Sequence, residues 1–230
     1  MIRRRRTIAG SASVQGIGLH LGEPCTLKFV SARSGDGVGF VRSDRPGSAR
    51  IPATADRAVL TERRTQLGEG VVALHTVEHV LAAVAGLGFD DLTIEMSGPE
   101  PPVLDGSSWP FVEALQGCGV VLQEGLPDEL VIREKVCVRD GDSVYEAAPA
   151  AGLELDVTIE FPHPLIARQS SMWTMNADVF VRELSRARTF GFVREVEALR
   201  AKDLIRGAST DNTLALNETG LVSGELRWPD

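Results

Sequence analysis

Apolar and polar residues alternate along three stretches of the first part of the chain, the pattern of strands with one buried face. "CTLKFVSA" (25–32) and "GVGFVRS" (37–43) flank a Gly/Asp turn, so they are predicted to pair as an antiparallel hairpin. "LTIEMSG" (92–98) predicts a further strand with its apolar residues on one face. This part of the chain is therefore predicted to contain a mostly antiparallel sheet.

Two segments have helical rather than strand periodicity. Apolar residues at helical spacing between residues 77 and 85 predict a helix that ends at the glycines that follow. Thr76 is the predicted N-cap of this helix. "SSWPFVEALQGCG" (107–119) predicts a second helix, with a serine cap and Pro110 in its first turn.

The order of strands followed by helices begins again in the second part of the chain. "LVIREKVCVRDGDSVYEAA" (130–148) predicts a hairpin about "DGD", and "LELDVTIEF" (153–161) predicts another strand. "ADVFVRELSRARTF" (177–190) predicts an amphipathic helix with four apolar residues facing inward, namely Val179, Phe180, Leu184 and Ala187.

Gly125 and Pro127 separate two apolar runs and mark the best candidate for a domain boundary. Strands followed by helices, twice, predict the α+β fold class with two domains of similar size. We expect an N-terminal α+β domain over residues 1–124 and a C-terminal α+β domain over residues 125–230.

Composition and charge exclude several function classes. Hydrophobic residues make up 43% and charged residues 24% of the chain, which is ordinary for a globular protein. The formal net charge of −8 argues against general nucleic-acid binding. The three cysteines lie far apart without a CxxC pair, so a reducing cytoplasm is the expected location. The basic run at residues 3–6 is interpreted as a solvated strand edge or terminus.

The candidate metal-binding and general-base residues are concentrated in "ALHTVEHVLAAVAGLG" (73–88), where two histidines stand four residues apart. With Thr76 as the cap, Glu78 and His79 lie in the first helical turn, whereas His75 precedes the helix. The positive end of the helix favours an ionised glutamate and a neutral imidazole, which suits a metal ligand beside a general base. A capped helix whose glutamate complements the dipole and whose histidine packs remains the alternative.

Five segments, taken together and in order, resemble the family of UDP-3-O-acyl-N-acetylglucosamine deacetylases. They are "GIGLHLG" (16–22), "HTVEHVLAAVAGLG" (75–88), "PEPPVLDGSSWPFV" (99–112), "IEFPHP" (159–164) and "SRARTFGF" (185–192). These are zinc enzymes that catalyse the committed step of lipid A synthesis in Gram-negative bacteria. The resemblance implies two similar α+β domains whose helix layers face each other, and a UDP-linked acylated amino sugar as substrate.

The resemblance also assigns roles to individual residues. His79 corresponds to a zinc ligand and Glu78 to the general base that takes a proton from the zinc-activated water. Thr189 corresponds to the donor that stabilises the tetrahedral oxyanion. Without the resemblance, Thr189 could equally be a hydroxyl at a helix C-terminus that bonds back to the chain.

Further matches concern the substrate. Phe161 matches the aromatic residue that packs on the uracil, and Phe190 lies beside the sugar; from the residues alone both would be core positions. Val196 and Ile205 are expected to line an apolar passage for the acyl chain. Asp105 matches a family turn, with a structural role favoured over a catalytic one.

The family supplies its other two zinc ligands from an HxxxD motif, which this chain lacks. We therefore expect the missing ligands beyond Asp230, an incomplete second domain, and little or no activity of the chain as written. Ser143 replaces a lysine that helps to hold the diphosphate in many members; Arg186 and Arg188 are candidates to compensate, or solvated charges on a helix.

Three hypotheses follow for the function. The first is a zinc-dependent deacetylase, or the larger part of one. The second is a non-catalytic relative or fragment that binds the UDP-lipid or a partner. The third is a structural α+β protein with a coincidental histidine pair.

Overall fold

The structure is a computed structural model and describes residues 3–59, 61–223 and 225–227. The helices in the first part of the chain are α1 (Glu78–Gly86) and α2 (Trp109–Gly117). The strands of the same part are β1 (Arg6–Ile8), β2 (Ala12–Ile17), β3 (Pro24–Ser31), β4 (Val38–Arg42), β5 (Ile51–Pro52), β6 (Ala58–Val59), β7 (Gln66–Leu67), β8 (Leu74–His75), β9 (Leu92–Met96) and β10 (Val120–Leu122).

The second part of the chain also combines strands with short helices. Its strands are β11 (Val136–Asp140), β12 (Ser143–Ala147), β13 (Glu154–Glu160), β14 (Arg168–Thr174), β15 (Phe190–Phe192), β16 (Leu214–Leu216) and β17 (Leu221–Ser223). Helix α3 (Ala177–Val179) continues as a π-helix over Phe180–Leu184, and α4 spans Val196–Ala201. The predicted α+β fold class is confirmed.

The central sheet has the strand order β2-β3-β9-β4-β5. In β9, Leu92, Ile94 and Met96 are fully buried, so the alternation predicted for this strand is confirmed. The predicted hairpin of β3 with β4 is wrong. Both strands form, but β9 lies between them, antiparallel to β3 and parallel to β4. Alternation shows which residues are buried, whereas the partner of a strand depends on what the rest of the chain inserts beside it.

Helices α1 and α2 pack on this sheet and complete the main core. Their buried side chains are Val80, Ala83, Val84, Phe111, Val112 and Leu115. Phe111 meets Phe29 of β3 edge-on, with ring centroids 6.4 Å apart. Pro110 lies in the first turn of α2 as predicted. Because burial of such side chains contributes about 1.5–3 kcal/mol each, this core firmly fixes the position of α1.

The start of α1 is built differently from the prediction. Thr76 is not the N-cap: it has a φ of +54°, and its hydroxyl donates to the carboxylate of Glu100 at 2.6 Å. The helix begins at Glu78, so His79 lies in the first turn as predicted. His75 belongs to β8 and stands outside the helix, also as predicted.

The prediction of a solvated basic run is wrong for Arg5. This residue is buried, and its Nε and Nη2 atoms each donate to a carboxylate oxygen of Asp91 at 2.8 Å. Burial opposes ionisation of Asp91, but hydrogen bonds from Arg5 and from the amides of Gly37 and Gly35 outweigh it, and the pKa of Asp91 is lowered. A local run of arginines does not reveal a partner 86 residues away.

Replacing Arg5 with leucine is expected to lower the free energy of unfolding by about 3 kcal/mol at neutral pH, because a buried carboxylate loses its charged partner. The loss should shrink in acid. A carboxyl whose pKa is lowered by folding contributes stability above its unfolded-state pKa of about 3.9 and loses it as the pH falls through the folded-state value.

Urea denaturation at neutral pH and below a pH of about 3 measures both parts of this prediction. Arg4→Leu is the matched control, since Arg4 is an exposed neighbour and its substitution should change the free energy by less than about 0.5 kcal/mol. Equal losses for Arg5→Leu at both pH values would contradict the assigned ion pair.

The second part of the chain buries less apolar surface than the first. The predicted hairpin about "DGD" is confirmed, with Asp140 opposite Ser143, and β13 pairs with β14. Several apolar side chains of these two hairpins are exposed: Val136, Val138, Val144, Tyr145, Val157, Ile159 and Met172. A small buried cluster of Ile166, Phe192 and Leu216 lies apart from the main core.

The helix predicted over residues 177–190 is shorter in the structure and ends at Leu184. Phe180 is buried as predicted, whereas Ala187 lies beyond the helix and is exposed. The ring of Phe180 packs on Gly86 of α1, so that a Cβ atom at position 86 would come within 2.5 Å of the ring atom Cε1. This contact joins the two parts of the chain and brings the residues after the helix towards α1.

The division into domains 1–124 and 125–230 stays a prediction. Residues 123–135 contain no helix or strand, which is compatible with a connection between domains. Within the ranges that the structure describes, no helix combines the length and the apolar composition needed to cross a membrane.

Candidate active site

A cavity of about 340 Å³ brings together residues that are far apart in the sequence. His79 from the first turn of α1 is one of the lining residues. The others are Arg63, Phe161 and the segment 187–192, which includes Thr189 and Phe190. The histidine singled out by its helix position therefore lines the same cavity as the "RARTF" segment.

The surroundings of His79, in the first turn of α1, favour a neutral imidazole. Burial lowers the pKa of His79, although the negative charges of Glu78 and Asp105 act in the opposite direction. The carboxylate of Glu78 accepts a hydrogen bond from the amide of Thr65 at 3.2 Å, which orients it next to the histidine. A neutral ring with a free lone pair and an adjacent carboxylate can serve as a metal ligand and a base.

Thr189 is held by its main chain. Its amide donates to the carbonyl oxygen of Gly106 at 2.8 Å, and its carbonyl accepts from the amide of Leu214 at 3.0 Å. The residue lies beyond the helix, directly before β15, so it is not a helix C-terminal residue. Among the described residues, none hydrogen-bonds the Thr189 hydroxyl, which leaves this group available at the cavity.

Three phenylalanines form an aromatic wall of the cavity. The rings of Phe161 and Phe190 meet edge-on with centroids 5.7 Å apart, and Phe192 lies 6.3 Å from Phe161. Phe190 is 40% exposed, so it is not a core position. Phe192 was not among the predicted site residues, although the alternation in "FGF" places it on the same face of β15 as Phe190.

Val196 and Ile205 do not line this cavity. Val196 is the first residue of α4, and Ile205 follows the helix with a φ of +54°. Their segment is fastened to the loop before β7 by two ion pairs, Lys202 with Glu62 at 2.7 Å and Arg63 with Glu195 at 2.8 Å. Their expected role in an acyl passage stays a prediction.

Asp105 shapes the turn beside the cavity. One carboxylate oxygen accepts from the amide and hydroxyl of Ser107, and the other pairs with Arg227 at 2.6 Å. Burial opposes ionisation, but the hydrogen bonds from Arg227 and Ser107 outweigh it and lower the pKa of Asp105. Both carboxylate oxygens of Asp105 are therefore engaged in contacts that stabilise the turn.

Arg186 and Arg188 are not solvated charges on a helix, because both follow its end at Leu184. The guanidinium of Arg186 stacks over the ring of Trp109 at 4.1 Å. The guanidinium of Arg188 donates to main-chain carbonyls, including that of Asp105 at 3.0 Å. Neither contact indicates that Arg186 or Arg188 takes the place of the lysine that many family members have at the position of Ser143.

The described residues do not complete a zinc site around His79. The other histidines have different surroundings: His20 is buried near Glu100, His75 lies in β8, and His163 bonds the carbonyl of Asn217 at 2.7 Å. Across residues 3–59, 61–223 and 225–227, no group of three or more histidine, cysteine or acidic side chains is arranged to hold a metal. One imidazole alone does not fit the coordination that zinc requires.

Comparison with known proteins defines the class as hydrolytic deacetylases. Residues 5–230 match the family LpxC, UDP-3-O-acyl N-acetylglycosamine deacetylase. The chain therefore belongs to the LpxC family, which confirms the resemblance in the five segments. The hypothesis of a structural protein with a coincidental histidine pair is wrong.

Individual relatives agree along nearly the whole chain. A UDP-3-O-acyl-N-acetylglucosamine deacetylase of Myxococcus xanthus is 44% identical over 227 residues, covering 98% of this chain and 72% of the relative. The protein of the same name from Bdellovibrio bacteriovorus is 40% identical, covering 98% and 75%. That from Thermosynechococcus vestitus is 39% identical, covering 98% and 79%.

Proposed function

We propose that this protein acts in the deacetylation of UDP-3-O-acyl-N-acetylglucosamine, the committed step of lipid A synthesis. Membership of the LpxC family supports the reaction. The observation that supports the proposal for this chain is the cavity, because His79 and Thr189, which are far apart in the sequence, both line it. We also propose a cytoplasmic location, which the three free cysteines support.

Each proposed chemical role is supported by a contact or a position of the side chain concerned. Glu78 is the base that takes a proton from the attacking water, and its orientation by the Thr65 amide supports this. Thr189 donates a hydrogen bond from its hydroxyl to the acetamide oxygen of the bound substrate, and this bond strengthens as negative charge develops there. His79 supplies one ligand of the zinc that the family implies. Because the described residues do not complete that site, we assign no step to the metal.

The proposed substrate contacts follow the shape of the cavity. Phe161 packs on the uracil and Phe190 lies beside the sugar, which the partly exposed aromatic wall supports. Val196 and Ile205, which do not line the cavity, are proposed to contact the acyl chain. Asp105 acts through the turn that it shapes rather than by touching the substrate.

The second candidate is binding of the UDP-lipid without catalysis. The lone imidazole at the cavity favours this for the 230-residue chain, because a single histidine does not hold zinc at useful affinity. We propose that this chain by itself has little or no deacetylase activity and still recognises the substrate through its aromatic wall.

Calorimetry with UDP-3-O-acyl-N-acetylglucosamine and elemental analysis of the purified chain test these proposals together. We expect binding of the nucleotide sugar, substoichiometric zinc and no measurable release of acetate. Phe161→Ala should weaken binding about tenfold, because stacking on a base contributes about 1–3 kcal/mol. Leu130→Ala is the control, since Leu130 is 90% exposed and lies outside the cavity.

Each possible result of these measurements tests a different part of the proposed function. Absence of binding would overturn substrate recognition by this chain. Unchanged binding by the Phe161 variant would overturn the assigned uracil contact. Stoichiometric zinc with acetate release would overturn the proposed inactivity and would favour the full deacetylase hypothesis for these 230 residues.

A further inference from the structure

Arg188, which lines the cavity of the candidate active site, joins two loops. Its Nε atom donates to the carbonyl of Asp105 at 3.0 Å. Its Nη2 atom donates to the carbonyl of Thr210 at 3.3 Å and to that of Asp211 at 2.9 Å. One guanidinium thus connects the turn after β9 with the loop before β16.

The same two loops hold the main chain of the next residue, Thr189. Gly106 follows Asp105 and accepts the Thr189 amide, whereas the loop that contains Asp211 continues to Leu214, whose amide donates to the Thr189 carbonyl. Arg188 therefore links the two segments that determine where the Thr189 hydroxyl stands.

The two loops touch where Gly106 meets Asn212. Gly106 has a φ of +81°, and a Cβ atom at this position would overlap the carbonyl oxygen of Asn212 and lie 2.8 Å from its carbonyl carbon. Little space separates the loops, so a change in their spacing would displace Thr189. The Asn212 side chain is itself buried and donates to the Gly207 carbonyl at 3.0 Å.

The chemistry of the contact calls for arginine. The guanidinium carries fixed, divergent N–H donors that reach three carbonyl oxygens on two loops, whereas the compact ammonium of lysine cannot reproduce this geometry. Hydrogen bonds from a charged donor contribute more than neutral ones, so the link is a strong one.

We infer that Arg188 is a positioning residue: its guanidinium is committed to three main-chain carbonyl oxygens and acts by fixing the place of Thr189 at the cavity that His79 also lines. The inference rests on the proposed role of Thr189 as donor to the acetamide oxygen. It goes beyond that role because it names what determines the donor's location and which chemical group, a guanidinium, this requires.

A double-mutant cycle in substrate affinity tests the inference. Calorimetry on the 230-residue protein with UDP-3-O-acyl-N-acetylglucosamine would compare Arg188→Gln in the Thr189 and the Thr189→Ala backgrounds. We expect Arg188→Gln to weaken binding about tenfold in the first background and less than about twofold in the second. Arg188→Lys should recover only part of the loss. Arg186→Gln, which removes the neighbouring arginine over Trp109, should have little effect.

Amide hydrogen exchange by NMR gives a second readout that does not need the substrate. In Arg188→Gln the Thr189 amide should exchange at least about tenfold faster, while the amides of the main core, such as that of Val84, should keep their protection. Equal losses of affinity in both backgrounds, or unchanged exchange at Thr189, would overturn the positioning role.

The proposed donor role of Thr189 and the positioning role of Arg188 would be contradicted by different results. If Thr189→Ala leaves the affinity unchanged, the proposed hydrogen bond to the acetamide oxygen of the bound substrate is wrong, and the exchange rate still decides whether Arg188 positions this residue. If Thr189→Ala weakens binding but Arg188→Gln weakens it as much again in that background, the donor role stands and the positioning role is wrong.

Discussion

Gly86→Ala is expected to lower the free energy of unfolding by about 2–4 kcal/mol, although alanine is the better helix former. The added Cβ would overlap the buried ring of Phe180, which cannot move aside without leaving its place on α1. Loss of a buried phenylalanine contact costs about 3–5 kcal/mol, and the helix gains only about 1 kcal/mol from replacing glycine.

Urea denaturation of Gly86→Ala, Phe180→Ala and the double variant measures this contact. In the Phe180→Ala background the added methyl meets no ring, so Gly86→Ala should then be neutral or slightly stabilising. Gly117→Ala is the matched control, because Gly117 ends α2 and a Cβ there would meet nothing within 4 Å. Additive losses for Gly86→Ala and Phe180→Ala would contradict the packing described.

Gly86→Ala is also expected to affect the candidate active site. Phe180 anchors the segment that leads to Thr189, so a displaced ring should also reduce binding of the UDP-acylated sugar. We expect Gly86→Ala to weaken that binding, while Gly117→Ala keeps it.

Glu100→Ala is expected to cost about 3–5 kcal/mol, because it removes a buried charge on which three separate donors depend. The carboxylate accepts from the amides of His20 and Leu21, at 2.9 Å and 2.8 Å, and from the hydroxyl of Thr76 at 2.6 Å. Glu100 is 1% exposed, so water does not replace these bonds in the folded protein.

Urea denaturation at neutral pH checks this prediction against two other variants. Glu100→Gln keeps one acceptor oxygen and should recover part of the loss. Glu95→Ala removes a carboxylate from the exposed side of the central sheet and should change the free energy by less than about 0.5 kcal/mol. A cost below about 1 kcal/mol for Glu100→Ala would show that the three bonds are not made as described.

Glu100 also explains the structural role of "GIGLHLG", a segment whose contacts could not be predicted from the sequence. "GIGLHLG" wraps around this carboxylate, and a Cβ at Gly18 would overlap it. Thr76 has a positive φ, and its hydroxyl donates to the same carboxylate rather than to the helix. The signal was present in the sequence as an acidic residue between prolines, but nothing local showed what it bonds.

Local patterns predicted many of the elements correctly. The period-two alternation of β9, the helical spacing in α1, and the "DGD" turn between β11 and β12 all depend on neighbours in sequence. The predicted helix over residues 177–190 was too long because its apolar spacing continues past Leu184, where the π-helix ends and the chain turns towards the cavity.

For the site, the position of His79 in the first turn could be predicted, and the resemblance supplied Thr189 and Phe161. Their meeting in one cavity could not be predicted from spacing. Phe180 on Gly86 and the Gly106 bond to Thr189 bring them together, and both contacts join residues distant in sequence.

The sequence by itself therefore determined the family, the α+β class and the placement of a histidine and a glutamate at a helix start, because these follow from local periodicity and recognisable segments. Only the tertiary structure decided that β9 separates β3 from β4, that Arg5 is buried against Asp91, and that Arg188 ties two loops around Thr189. The physical reason is that periodicity records which side chains prefer burial, whereas strand partners, ion pairs and cavity walls depend on which distant segments pack together.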